Sequence, residues 1–184
     1  MNDSQHIPSL LNEFPNSKAI WIYRHYQDVT NSAKNRWSNA QRHIISHIAE
    51  KDNTWDRWYT EGMKDSDRDL IRSFYEKDIS EEKAGILKWY LRNLLYFDNN
   101  LKKDSRVLLL NYESFVTKPE KEISKIEAFM QLPPFPKESY KHIFRTSIKK
   151  NTPKVLDLRT RKLADEMLER LKNAYQNSDV ITQK

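Results

Sequence analysis

An arginine and a serine eight positions apart, Arg24 and Ser32, form the pair in this sequence best suited to holding an anion. Arg24 closes the apolar run Ala19-Ile20-Trp21-Ile22-Tyr23. An arginine at the C-terminal end of a buried parallel strand stands where open α/β sheets bind ligands, and its planar guanidinium grips a phosphate through two parallel hydrogen bonds. Ser32 falls in the first turns of the helix expected next, where its hydroxyl can reach the same anion. The helix N-terminus adds unpaired N–H groups and a partial positive charge, and Asp28 lies in the first turn, where that dipole favours a carboxylate. Spacing alone leaves a second reading open, in which Arg24 is an interfacial arginine and Ser32 a residue of the helix surface.

The elements that must position this pair begin with two apolar runs, Lys18–Tyr23 and Val107–Leu110. Neither alternates with polar residues, the pattern of parallel strands covered by helices on both faces. Roughly 80 residues of mostly helical pattern separate them, far more than one crossover helix needs. Ser9 to Phe14 reads as a helix stopped before Pro15. Gln27 to Lys51 reads as one long helix, with Val29, Ala33, Trp37, Ala40, Ile44 and Ile48 near a 3.6 period. Asn53 to Lys64 is a Trp-rich break and Asp67 to Tyr75 a short helix. Ser80 is the expected N-cap of a helix running to Phe97. Beyond the second strand, Pro119 opens a helix ending at Met130, and Pro133, Pro134 and Pro136 mark a loop. A last helix spans Arg159 to Tyr175, with Ser178–Lys184 expected to fray. The chain thus reads as one α/β domain over 1–184, with a helical insertion at about 53–80 and a C-terminal basic loop and helix at 137–177. Two parallel strands make a marginal sheet, so the sheet reads as incomplete on its N-terminal side.

The stretch Tyr23-Arg24-His25-Tyr26-Gln27-Asp28-Val29-Thr30-Asn31-Ser32 resembles the 3′-phosphate-binding motif of the sulfotransferases, which use 3′-phosphoadenosine-5′-phosphosulfate (PAPS). The resemblance assigns 3′-phosphate binding to Arg24 and Ser32, and departs from the family at Tyr26, where proline is usual. Arg106-Val107-Leu108-Leu109-Leu110-Asn111-Tyr112-Glu113-Ser114-Phe115, followed by Lys118-Pro119 and by Phe129-Met130-Gln131-Leu132-Pro133, is similar to the family's strand-Tyr-Glu-x-Leu, Pro, and helix ending Phe-Leu-x-Leu-Pro. Tyr112 and Glu113 can orient the phosphate loop or serve as structural hydrogen-bonding groups. Leu10 to Lys18 looks like the family's helix-Phe-Pro-x-Ala-Lys lead into the motif strand. The resemblance implies a P-loop-like sulfotransferase fold and PAPS as co-substrate, with no metal. The acceptor it implies is a hydroxyl or amine on a small molecule or glycan. It also implies a closing basic loop at Arg145, Ser147, Lys149 and Lys150, which a solvated loop would explain as well. The family's 5′-phosphosulfate loop of Lys, Ser, Gly and Thr has no counterpart before Leu10, so the chain reads as a portion that is inactive alone. His6 stands in the region of the family's catalytic histidine, with a surface histidine as the alternative.

Composition bounds these readings. The sequence has two glycines, Gly62 and Gly85, and no cysteine, which excludes glycine-rich phosphate loops, disulfides and thiolate metal sites and suits a cytoplasmic location. No run approaches the roughly 18 apolar residues of a membrane helix. Lys137 to Lys172 holds eleven Lys or Arg against five Asp or Glu, a surplus equal to the whole net charge of +6. That segment fits an anionic ligand or a solvated basic face. A basic helical nucleic-acid binder matches the charge but lacks any recognised motif. A non-catalytic binding protein, associating through an open sheet edge, is the other alternative. His43 and His47 have the spacing of half a zinc site without a third ligand. Trp55, Trp58 and Tyr59 fit either an acceptor pocket or plain packing.

Overall fold

Two five-residue strands, β1 (Ala19–Tyr23) and β2 (Val107–Asn111), pair in parallel, with Ala19 opposite Val107 and Tyr23 opposite Asn111. The computed structural model describes residues 4–36, 39–50, 59–143, 148 and 156–181. α1 (Ile7–Glu13) leads into β1, and the crossover to β2 consists of α2 (Tyr26–Arg36), α3 (Ala40–Glu50), α4 (Asp65–Phe74) and α5 (Glu81–Asp98). Beyond β2 come α6 (Tyr112–Thr117), α7 (Pro119–Met130) and α8 (Leu158–Ile181). The chain is therefore α/β with a parallel sheet and a large helical share. No described helix is long and apolar enough to cross a membrane.

α5 is the hub, because it is apolar on two faces. Ile86, Trp89, Leu95 and Tyr96 join Trp21 and Tyr23 of β1, Leu109 of β2, and Met167, Leu168 and Leu171 of α8 in one core. Ala84, Leu87 and Leu91 join Ile45, Ile48, Ile71 and Phe74 in a second core beneath the inserted helices. Ser80 caps α5 as expected, its Oγ accepting from the Lys83 N–H at 3.1 Å. β2 is buried on both faces through Leu108, Leu109 and Leu110. β1 is buried at Trp21 and Tyr23, but Ile22 is 45% exposed, so its second face is only partly covered.

Two expectations give way. Gln27–Lys51 is not one helix: α2 ends at Arg36 and α3 begins at Ala40, with Asn39 between them at φ 66. A left-handed residue cannot lie inside a right-handed helix, and asparagine is among the few residues that adopt that conformation readily. α6 follows β2 directly, a short helix with no counterpart among the expected elements. Asn111 ends β2 and also caps α6, its Oδ1 accepting from the Ser114 N–H at 2.7 Å.

Gly85 sits where α5 crosses α2. A Cβ placed there would lie 2.8 Å from Thr30 Cγ2, inside contact distance of a stiff β-branched side chain. Gly85→Ala is therefore expected to lower stability by about 1–3 kcal/mol, the usual cost of overpacking, whereas the same change in an open helix gains about 1 kcal/mol. A urea-denaturation midpoint that rises in the variant would contradict this close approach.

Candidate functional site

The strand register builds the site. Because Tyr23 pairs with Asn111, the residues that leave the two strands side by side are Arg24 with Tyr112 and His25 with Glu113. The Arg24 guanidinium lies over the Tyr112 ring, 4.7 Å from its centroid. Its Nη2 is 3.6 Å from Asp28 Oδ2, one helical turn on. The Arg24 side chain keeps 19% exposure, so its outer edge is reachable by a ligand. Stacking and the ion pair fix the plane of the fork before any anion arrives, which reduces the ordering cost of binding.

The turn from β1 to α2 is held by its neighbours. The Arg24 carbonyl accepts from the Trp89 indole at 2.9 Å. The His25 N–H donates to Glu113 Oε1 at 2.9 Å, and Glu113 Oε2 accepts from Asn111 Nδ2 at 2.9 Å. The Gln27 N–H donates to His25 Nδ1 at 3.3 Å, which places the ring proton of neutral His25 on Nε2. Tyr26, at the position where the resemblance led one to expect proline, is 3% exposed and starts α2. A proline would preset the backbone there. Tyr26 instead holds the turn by donating its hydroxyl to Asp165 Oδ1 of α8 at 2.8 Å and packing edge-on against Trp89. Burial and Asp165 push its hydroxyl pKa up to about 12, so it remains a donor.

Ser32 is exposed on α2, one turn beyond Asp28 on the same stripe of the helix. Asp28 and Ser32 thus share one face of α2, the helix that starts two residues after Arg24 at the C-terminal edge of the sheet. A crevice of about 280 Å3 opens beside this turn, with Tyr23, His25, Asn111, Glu113 and Lys172 among its walls.

The other expected site residues lie elsewhere. His6 is on the surface, its Nε2 3.3 Å from Glu61 Oε2 and its side chain 43% exposed. It lines neither the crevice nor the cavity of about 260 Å3 that Arg24 borders. Arg145, Ser147, Lys149 and Lys150 fall outside the described residues, as do Trp55 and Trp58. The Tyr59 hydroxyl is 2.8 Å from His47 Nδ1, which ties the segment before α4 to α3. Trp89 and Asp165 carry no signature in the sequence that links them to Arg24, since only the tertiary fold brings them there.

Burial lowers the His25 pKa, and Lys172 adds to the effect, against smaller opposite pulls from Glu113, Asp28 and Asp165. With the folded pKa below the unfolded value, the unfolded chain binds more protons in the window beneath about 6.5. The stability contributed by neutral His25 is thus present above that value and is lost as pH falls through the folded pKa. Protonation would also remove the Nδ1 acceptor used by Gln27. The melting temperature should drop more steeply between pH 7 and 5.5 in the parent than in His25→Gln. Parallel profiles would refute the assignment.

A family model described as Sulfotransferase domain matches residues 4–178. No curated protein and no solved structure matches the chain.

Proposed function

Because the chain belongs to the sulfotransferase domain family, we propose that it binds PAPS, or the spent 3′,5′-bisphosphate, through the 3′-phosphate, with Arg24 and Ser32 as the contacts. The observation that carries this reading is the Arg24 guanidinium held over Tyr112 and against Asp28 at the C-terminal end of β1, with an exposed edge. That donor set fits a dianionic phosphate: a planar cation for paired hydrogen bonds, with a hydroxyl further along the same face of α2. Ser32→Ala removes one hydrogen bond to a charged group, about 1.5–3 kcal/mol or roughly ten- to a hundredfold in affinity. His6 stays outside this assignment, and Arg145, Ser147, Lys149 and Lys150 are proposed as further basic contacts to the nucleotide. The absence of cysteine fits a reducing, cytoplasmic setting.

These 184 residues alone are not expected to transfer the sulfuryl group. Transfer needs donors on the transferring oxygens and on the leaving phosphate, and a glycine-bearing strand-to-helix turn is the usual carrier of such donors. Of the two glycines, Gly62 lies in the turn before α4 and Gly85 inside α5. The reading is tested with PAPS labelled in its sulfate. Retention of label by the chain, without release of labelled product to phenolic or amine acceptors, is the expected result. Absence of retention refutes nucleotide binding, and turnover refutes the inactive reading.

One observation favours a second role, association through the sheet. Among the described residues β1 pairs only with β2, which leaves an edge that invites a further strand, and Ile22 on its partly covered face is 45% exposed. Concentration-dependent dimerisation abolished by Ile22→Lys would support that role.

A further inference from the structure

A cavity of about 260 Å3 lies between β1, α2 and α5, with Arg24 among its walls. Trp21, Trp89, Val29 and Ala33 supply apolar walls, and Gly85, lacking a Cβ, lets Thr30 pack closely against α5. Two hydroxyls on its walls, Thr30 Oγ1 and Ser4 Oγ, belong to residues only 4% exposed and have no hydrogen-bond partner among the described residues. A threonine inside a helix ordinarily bonds back to the preceding turn, so an unpartnered Thr30 hydroxyl in a cavity wall marks a place where a ligand group would complete the bonding.

The charge of the lining has one sign. Arg24, Lys88 and Arg92 contribute to it, and among the described residues no carboxylate does. Glu81 favours the charge on Lys88 and also accepts from the Gln41 and Arg42 N–H groups. Arg92 donates to Gln5 Oε1 at 3.1 Å. Burial and the neighbouring Arg92 both disfavour the charge on Lys88, and an anion placed between the two cations would relieve that repulsion.

We propose that this cavity binds a small organic anion with a flat apolar body, its charge against Lys88 and Arg92 and a polar substituent meeting Thr30 and Ser4. The inference stands on the cavity itself and goes beyond the nucleotide reading. Cavity and nucleotide site share the Arg24 segment, so a bound anion would lie next to the nucleotide.

Calorimetric titration with 4-hydroxyphenylacetate, its neutral amide and the cation tyramine tests the proposal. The acid should bind at least about tenfold more tightly than the amide, the worth of one charge-assisted contact, and tyramine should not bind. Lys88→Gln should erase the preference for acid over amide, and Thr30→Val should weaken both without altering it. The acid should still bind in the presence of saturating 3′,5′-adenosine bisphosphate, which separates this site from the nucleotide site. Equal binding of acid and amide, no binding of the acid to the folded chain, or an unchanged preference in Lys88→Gln would each overturn the proposal.

Discussion

Arg24→Ala should abolish the stabilisation that 3′,5′-adenosine bisphosphate gives to the folded chain. A ligand present at a hundred times its dissociation constant raises native stability by about 2.7 kcal/mol, a shift readily visible in a thermal melt. Hydrogen bonds to charged groups are worth about 1.5–3 kcal/mol each, so losing the paired bonds of one guanidinium weakens binding by a hundredfold or more. The ligand-free protein should suffer less. Arg24→Ala removes a stacking contact of about 1 kcal/mol with Tyr112 and leaves Asp28 without its nearby guanidinium. Asp28 keeps a favourable place in the first turn of α2. Arg24→Lys should fall between parent and alanine variant, because it keeps the charge but not the fork. A lysine variant equal to the parent would mean that the anion is held by charge alone.

The largest stability loss is expected at a buried cluster joining α7 to α8. Glu122 is 1% exposed and lies 3.2 Å from Lys125 Nζ, which is 2.7 Å from the Tyr175 hydroxyl; that hydroxyl in turn donates to Glu122. Lys125→Met would leave the Glu122 carboxylate buried without its cation, and breaking a buried pair from one side costs about 3–5 kcal/mol. The surface pair Lys172–Glu169 has a nearly identical separation of 3.3 Å with both partners exposed, and Lys172→Met should cost less than about 0.5 kcal/mol. Converting both members, Lys125→Met with Glu122→Met, should recover most of the loss, because burying two apolar side chains leaves no orphaned charge. Chemical denaturation of the three variants checks this. Equal losses for Lys125→Met and Lys172→Met would show that the cluster is solvated. α8 also carries Asp165, the partner of Tyr26, so the cluster anchors the helix that holds the turn after Arg24.

The two strands and the place of Arg24 at the end of one of them were legible because each has a local signature. Val107–Leu110 has no polar alternation and is buried on both faces, and Arg24 follows a strand at the spacing the family motif requires. The break at Asn39 was hidden because the apolar period runs on from Val29 to Ile48 across it. Periodicity reports which face is buried and carries no sign of one residue with positive φ. α6 was hidden for the opposite reason: six residues show no period, although Asn111 followed by Ser114 carried a capping signal. The orienting roles of Tyr112 and Glu113 stood open beside a purely structural reading, because their distance from Arg24 and His25 depends on the register of Tyr23 against Asn111. Register is a property of two segments some 80 residues apart, and no local pattern encodes it. The cavity beside Lys88 and Thr30 was invisible in the same way, since α2 and α5 meet only after folding.

Comparing 3′,5′-adenosine bisphosphate with 5′-adenosine monophosphate by equilibrium titration of the purified chain tests the central claim most directly, because the two ligands differ only in the phosphate that Arg24 and Ser32 are proposed to hold. The account predicts that the bisphosphate binds at least about a hundredfold more tightly, the worth of two charge-assisted hydrogen bonds. Equal affinity for the two, or no binding of either to a cooperatively folded chain, would contradict it.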